Sequence, residues 1–209
     1  MRTTLWVLLL SGLLVPATVQ ADTLTFRFQG GTVVASDVLS NSGAPSELVE
    51  VSATGASNIT IQGSLGTVEF SSGAWNDSTW SFDPGGSITI TSNGAGGLPA
   101  GVLFSGTFTS AGTWTLISYA NGTSEWVFES LVSGTASPEL LAALGLPSDV
   151  SQFTATITIK INALTGIGTV EFGSIVSHTP EPGTLALLGV GLGGMAMARM
   201  RRLRNGKNK

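Results

Sequence analysis

Apolar and polar residues alternate along most of the chain between positions 22 and 177. The clearest case runs from Phe153 to Ile161, where Phe, Ala and Ile positions alternate with Thr and Lys positions. A period of two places the two sets on opposite faces of a strand, so this stretch predicts a half-buried antiparallel strand with a threonine-rich outer face. The same alternation recurs in shorter stretches around Phe26, Ile59, Ile88 and Trp114.

Turn-forming residues separate these stretches. Asn121-Gly122 is the strongest hairpin signal, because both residues tolerate the positive φ of a type I′ turn. A two-residue turn there predicts that Ile117 pairs with Trp126. Other breaks fall at Gly30-Gly31, Pro84-Gly85-Gly86 and Asn93-Gly94. Short strands spaced by turns predict an all-β, antiparallel β-sandwich-like domain over residues 22–177.

One helix interrupts the strand pattern. The segment from Pro138 to Leu146 reads PELLAALGL, and Ser137 before it is a suitable N-cap. We expect this short helix to plug one end of the sandwich or to cross between its sheets.

The first 21 residues have the layout of a secretory signal peptide. Arg2 gives a positive start, an apolar run extends from Leu5 to Val15, and Pro16 ends that run. Small or modest residues then precede a predicted signal-peptidase cleavage site between Ala21 and Asp22. The sequence therefore predicts export across the inner membrane and a mature chain that begins at Asp22.

A second apolar segment lies near the other end, from Gly183 to Met200. As a helix it would be about 27 Å long, close to the thickness of the hydrocarbon core of a bilayer. A basic stub follows at 201–209, and four arginines form the predicted membrane stop: Arg199, Arg201, Arg202 and Arg204. Positive residues next to a span stay on the cytoplasmic side, so residues 22–177 are expected outside the cytoplasm.

A proline-framed acid, Pro180-Glu181-Pro182, lies just before this apolar segment. Each proline favours an extended residue before it, so the motif is expected to be a stiff strand-like segment at the membrane surface. The motif, the apolar run and the arginine-rich end, in this order over residues 178–209, resemble the PEP-CTERM sorting signal. That resemblance implies recognition by an exosortase, a membrane transpeptidase-like enzyme of Gram-negative bacteria.

The resemblance also implies a route for the domain. The tail would anchor the protein in the membrane for a time and then be removed near the motif, leaving the domain in the cell envelope or outside the cell. For the domain itself it implies a structural or adhesive role in cell-surface polymer, the extracellular matrix of a biofilm. Extracellular polysaccharide is then a candidate partner.

Charge excludes one class of partner. All thirteen acidic residues lie between Asp22 and Glu181, against only Arg27 and Lys160, which gives this segment a formal charge of −11. Such a surface repels phosphate backbones, so no nucleic-acid partner is expected for the domain.

The residue inventory argues against catalysis. The chain has no cysteine, and its only histidine, His178, lies in the segment assigned to the tail. A Ser-His-Asp triad inside the domain is therefore excluded, and no metal site, cofactor or catalytic residue is expected. A secreted hydrolase that uses two carboxylates remains the least favoured alternative, because thirteen acids allow a pair without specifying one.

One segment suggests a ligand. WNDSTWSFDPGG contains Trp75, Asp77 and Asp83, and oxygen-rich loops can bind calcium while exposed tryptophans can stack on sugars. These three residues are the candidate site of a lectin-like carbohydrate- or calcium-binding module, the alternative to a structural role. A period of two through the same segment predicts that Trp80 and Phe82 are core residues.

Overall fold

The structure, a computed structural model, describes residues 23–55, 58–120, 124–146, 152–163 and 167–178. Most of them form eleven strands. Their bounds are β1 Thr23–Ala35, β2 Val38–Ser40, β3 Ser46–Thr54, β4 Ile59–Asn76, β5 Ser81–Phe82, β6 Gly86–Ser92, β7 Gly101–Phe108, β8 Gly112–Ser118, β9 Ser124–Ala136, β10 Gln152–Ala163 and β11 Ile167–His178. A 3-10 turn occupies Ala95–Gly97, and one helix, α1, occupies Pro138–Ala143. Residues Asp22–Thr179 form one compact unit.

The strands form one continuous antiparallel sheet that closes on itself. Around the closed circuit the order is β10, β11, β1, β3, β4, β6, β7 and β9, and β9 pairs again with β10. Three short strands extend the sheet at one end of the circuit. There β2 pairs with both β1 and β4, and β5 and β8 lie between β4 and β9. The prediction of an all-β antiparallel fold with one short helix is confirmed. The expected sandwich of two sheets differs from the structure, which has a single sheet.

Closure depends on long strands that change partners along their length. β4 has 18 residues; it pairs with β3 over its first part, with β6 from Gly66 to Ser72, and with β2 and β5 near its end. A Cβ on Gly66, where φ is +150°, would collide with the backbone carbonyl oxygen of Thr91. Glycine therefore lets β4 approach β6 closely at the residue where the pairing with β6 begins.

The inner face of the closed sheet carries the core. Along β1 the alternating residues Leu24, Phe26 and Phe28 are buried, as the sequence pattern predicts. The predicted cap of α1 is confirmed, because Ser137 Oγ accepts a hydrogen bond from the Leu140 amide at 3.1 Å. Leu140 and Leu141 are fully buried, so the helix contributes its apolar side to the core.

The two ends of the closed sheet differ. At one end β1 begins and β11 ends, with Thr23 paired to His178; β9 ends at Ala136 there and leads into α1. His178 is therefore the last residue of β11, although the sequence places it in the tail segment. β2, β5, β8 and the last residues of β4 lie at the opposite end.

Asn41 fills the space between β2 and β3 beside β4. Its side chain is almost fully buried, with 1% exposure. Its Nδ2 donates to Val68 O at 2.9 Å and to Ser46 Oγ at 3.1 Å, and its Oδ1 accepts from the Phe70 amide at 2.7 Å. The side chain thus takes the place of a strand residue where the partner of β4 changes from β3 to β2.

The predicted register of the β8–β9 hairpin is wrong by one residue. Leu116 pairs with Trp126, Ile117 with Glu125 and Ser118 with Ser124. Five residues separate Ser118 from Ser124, whereas a two-residue turn at Asn121-Gly122 would leave an even number of residues between the two members of each pair. Asn121 and Gly122, the predicted turn, lie outside the described residues. The observed register places Trp114, Leu116, Trp126 and Phe128 on one face of the hairpin.

A tryptophan cluster as candidate binding surface

All four tryptophans of the domain meet at the end of the sheet opposite α1. The chain has five tryptophans, of which Trp6 lies in the predicted signal peptide. The remaining four, Trp75, Trp80, Trp114 and Trp126, are called the tryptophan cluster here. Trp80 meets Trp75 edge to face at 6.2 Å between ring centroids, and Trp114 stacks on Trp126 at 5.1 Å with an interplanar angle of 9°.

Strand register brings the cluster together. Trp75 in β4 pairs with Phe82 in β5, and Phe82 pairs with Gly112 in β8. Trp114 is two residues beyond Gly112 and therefore shares its face. The Phe82 ring links the two halves of the cluster, since it lies 5.0 Å from Trp75 and 6.0 Å from Trp114, centroid to centroid.

The exposed fraction of the aromatic side chains increases from Phe82, at the centre of the group, to Trp80 at its edge. Phe82 is buried, as predicted, while Trp75, Trp114 and Trp126 are half-buried. Trp80 is 77% exposed, so the prediction that it belongs to the core is wrong. The reason is local, because strand β4 ends at Asn76 and a turn precedes β5, so the period of two does not continue through the segment.

The turn holds Trp80 in an unusual backbone conformation. Its φ is +52°, the only positive value among the described residues that are not glycine. The amides of Thr79 and Trp80 both donate to Asn76 O, at 3.2 and 2.9 Å, and the Ser78 amide donates to Asn76 Oδ1 at 3.0 Å. A left-handed conformation costs a residue with a side chain about 1–2 kcal/mol, so these bonds must offset that cost.

The candidate ligand residues Trp75, Asp77 and Asp83 do lie in one region, but the structure does not join the two carboxylates. Asp77 Oδ1 accepts from Trp75 Nε1 at 2.8 Å, and Asp83 Oδ1 accepts from Asn76 Nδ2 at 3.1 Å. In the part of the chain that the structure describes, no group of three or more His, Cys, Asp or Glu residues is arranged to hold a metal ion. The Asp77 carboxylate instead holds the Trp75 indole, and the Asp83 carboxylate holds the side-chain amide of Asn76.

The outer edge of β8 is open beyond the end of β5. β5 pairs with β8 only at Thr113 and Gly112, and within the described residues no strand pairs with Trp114–Ser118 on that side. Leu116 and Ile117 on this edge are exposed. Such an edge presents backbone donors and acceptors that can pair with a further extended chain.

The only tyrosine of the chain lies at the tip of the same hairpin. Tyr119 Oη donates to Glu125 Oε2 at 2.7 Å. This hydrogen bond to a carboxylate, with smaller contributions from burial and from the charges of Glu125 and Glu171, raises the pKa of Tyr119 above its ordinary value. The raised pKa means that the bond stabilises the fold below pH 10 and that this stabilisation is lost as the pH rises through the folded-state pKa.

Absorbance titration of the single tyrosine tests this contact. We expect a midpoint above pH 10.0 in the folded protein, and a return toward 10.0 in Glu125→Gln, which removes the charge. Glu129→Gln is the matched control, because it removes a neighbouring exposed carboxylate that does not bond Tyr119. Equal midpoints in all three proteins would contradict the assignment.

The predicted processing sites lie outside the described residues. They are Ala21 and Asp22 at the signal cleavage site, Pro180, Glu181 and Pro182 in the motif, and the arginines of the membrane stop. Among the residues that the structure does describe, no helix is both long enough and apolar enough to cross a membrane. The predicted span at 183–200 therefore stays a prediction.

A closed antiparallel β domain with an aromatic surface at one end is thus followed in sequence by a short terminal segment. Residues 178–202 match the PEP-CTERM protein-sorting motif. The chain therefore carries this sorting motif, as its sequence predicts, and the motif supports an exported protein that an exosortase sorts toward the cell envelope. No curated protein and no solved structure matches the chain.

Proposed function

We propose that this protein is a non-enzymatic adhesive component of the cell surface or of the surrounding polymer. In this proposal a signal peptide starts export, the tail spans the membrane during sorting, and exosortase removes it. The observation that supports adhesion is the tryptophan cluster, because a large aromatic side chain left exposed on a turn between two strands, beside other aromatic rings, is typical of a binding surface. The cluster lies at the end opposite His178, the residue at which the match to the sorting motif begins.

The use of the carboxylates supports a binder over a hydrolase. Glycosidases need two carboxyl groups facing each other across one sugar. Asp77 and Asp83 are each hydrogen-bonded to a different side chain, Trp75 and Asn76. The second candidate function is a lectin-like module, and the observation that favours it is the exposed Trp80 ring beside Asp77.

Intact mass of the protein recovered from the envelope and medium of its host tests the sorting route. We expect a species that begins at Asp22 and ends near Pro182. Glu181→Ala should retain Gly183 to Lys209, because it removes the only charge of the motif. Glu171→Ala, ten residues upstream on the exposed surface of β11, should be processed normally. A wild-type species that keeps the tail would mean a permanently anchored protein and would overturn the route.

Attachment of host cells tests the adhesive role. A strain that lacks the protein should leave fewer cells and less polymer on a surface after washing, and the wild-type gene should restore both. Unchanged attachment and polymer in the deletion strain would contradict the proposed role, whatever the mass measurement shows.

A further inference from the structure

We propose that the exposed face of Trp80 is a stacking platform for a polysaccharide whose sugars are neutral or carry amines. This inference rests on the proposed adhesive function and names the chemical class of its ligand. Four features of the tryptophan cluster support it: the exposure of Trp80, its fixed position, its polar surroundings and the sign of the local charge.

The ring of Trp80 is exposed and positioned by its surroundings. Its backbone amide is held by Asn76 O, and its side chain meets Trp75 edge to face. Trp75 is fixed in turn, because its Nε1 donates to Asp77 and its ring contacts the buried Phe82. A platform that is held in place before the ligand arrives loses little conformational entropy on binding. Strained backbone geometry of the kind seen at Trp80 is concentrated at ligand-contacting sites.

The surroundings of the ring match the two-sided character of a sugar. A pyranose ring offers an apolar C–H face and a rim of hydroxyl groups, so it needs an aromatic surface beside hydrogen-bonding groups. Polar side chains flank Trp80 in sequence: Thr79 and Ser81 share a hydrogen bond at 2.8 Å, and Asn76 Nδ2 donates to Asp83 Oδ1. A folded protein partner fits less well, because stable protein interfaces bury about 1,200–2,000 Å² rather than the area of one turn.

The net negative charge at this end disfavours acidic sugars. Asp77 lies in the turn after β4, Asp83 directly follows β5, and the outer face of the β8–β9 hairpin carries Glu125 and Glu129. Of the two cations of the domain, Arg27 lies on β1 and pairs with Glu50 at 3.5 Å, while Lys160 lies on β10 at the position paired with Val127 of β9. The four carboxylates therefore outnumber the one cation at this end. A polyuronate or a phosphorylated polymer would meet repulsion at this end, whereas a protonated amine gains attraction from the carboxylates and from the indole face.

A glycan array followed by titration tests the proposal, using the processed protein recovered from its host. The probes are neutral oligosaccharides, chitosan oligosaccharides and oligoguluronates. We expect binding to neutral or amine-bearing sugars and none to oligoguluronates. Trp80→Ala should weaken binding about tenfold, in line with the loss of one stacking contact, and Trp80→Phe should be intermediate. The intrinsic fluorescence of the wild type should shift on binding, and that shift should be lost in Trp80→Ala.

A matched control separates stacking from general surface effects. Val102→Ala removes an exposed apolar side chain on β7, outside the tryptophan cluster, and should leave sugar binding unchanged. The proposal is overturned by equal binding in wild type and Trp80→Ala, by preferential binding of oligoguluronates, or by no binding to any neutral or amine-bearing probe. If any of these occurs while the deletion strain still loses attachment, the adhesive role stands and the sugar platform does not.

Discussion

Asn41→Ala is expected to lower the free energy of unfolding by about 3 kcal/mol or more. The substitution removes three hydrogen bonds made by one buried side chain and leaves two backbone groups of β4, the carbonyl of Val68 and the amide of Phe70, without those partners. An unsatisfied buried polar group costs about 1–3 kcal/mol, and the cavity left by the amide adds to this. Urea unfolding monitored by fluorescence measures the change.

The neighbouring residue supplies the control. Ser42 lies in the same loop, but it is exposed, and its side chain bonds only to the hydroxyl of half-buried Ser40 among the described residues. Ser42→Ala should change the free energy of unfolding by no more than about 0.5 kcal/mol. A loss below 1 kcal/mol in Asn41→Ala would show that water replaces the side chain and that Asn41 does not hold β2 and β3 against β4.

Phe128→Ala is expected to cost about 3–5 kcal/mol of stability. Phe128 is 1% exposed, and its ring lies 5.8 Å from Phe82 and 5.8 Å from Phe108, centroid to centroid. It also packs against Gly112, where a Cβ would collide with the ring. Removing it opens a cavity beneath Trp114, so the sheet and the tryptophan cluster lose a shared support.

Phe172→Ala is the matched test of the same chemical change. Phe172 is 39% exposed on β11 and lies beneath the guanidinium of Arg27 at 5.9 Å. Its removal should cost about 1 kcal/mol or less, because little apolar surface is returned to water and one exposed cation–π contact is lost. Similar losses in the two variants would contradict the placement of the core on the inner face near Phe128.

The strands and the helix cap were predictable because their signals are local. Alternation alone identifies the strand that contains Phe153 to Ile161, now β10, and Ser137 before a proline identifies the start of α1. Closure of the sheet was not predictable. It depends on β4 pairing with β6 from Gly66 onward and on bulges in β1 and β3, which no local pattern reveals.

The candidate site was predictable only in part. The sequence places Trp75, Asp77 and Asp83 in one turn region, as the structure does. It wrongly predicts a buried Trp80, because the alternation of buried and exposed positions does not continue through the turn between β4 and β5. It also misses Trp114, which lies beside Phe82 through the pairing of β5 with β8, and Trp126, which stacks on Trp114 through a hairpin register set by loop length. The Asn-Asp-Ser-Thr run before Trp80 is a turn signal that would have corrected the first error.

The position of β11 between two antiparallel neighbours has a mechanical consequence. β1 pairs along one side of β11 and β10 along the other, and the strand ends at His178. When the opposite end of the sheet is held, for example through the tryptophan cluster, traction on His178 along β11 loads both rows of hydrogen bonds in shear instead of breaking them one at a time. Forced unfolding depends on the rate of unfolding rather than on equilibrium stability. A final strand that is hydrogen-bonded on both sides should unfold slowly under a pulling force. A final strand at an open edge of a sheet would lose its hydrogen bonds one by one at a lower force.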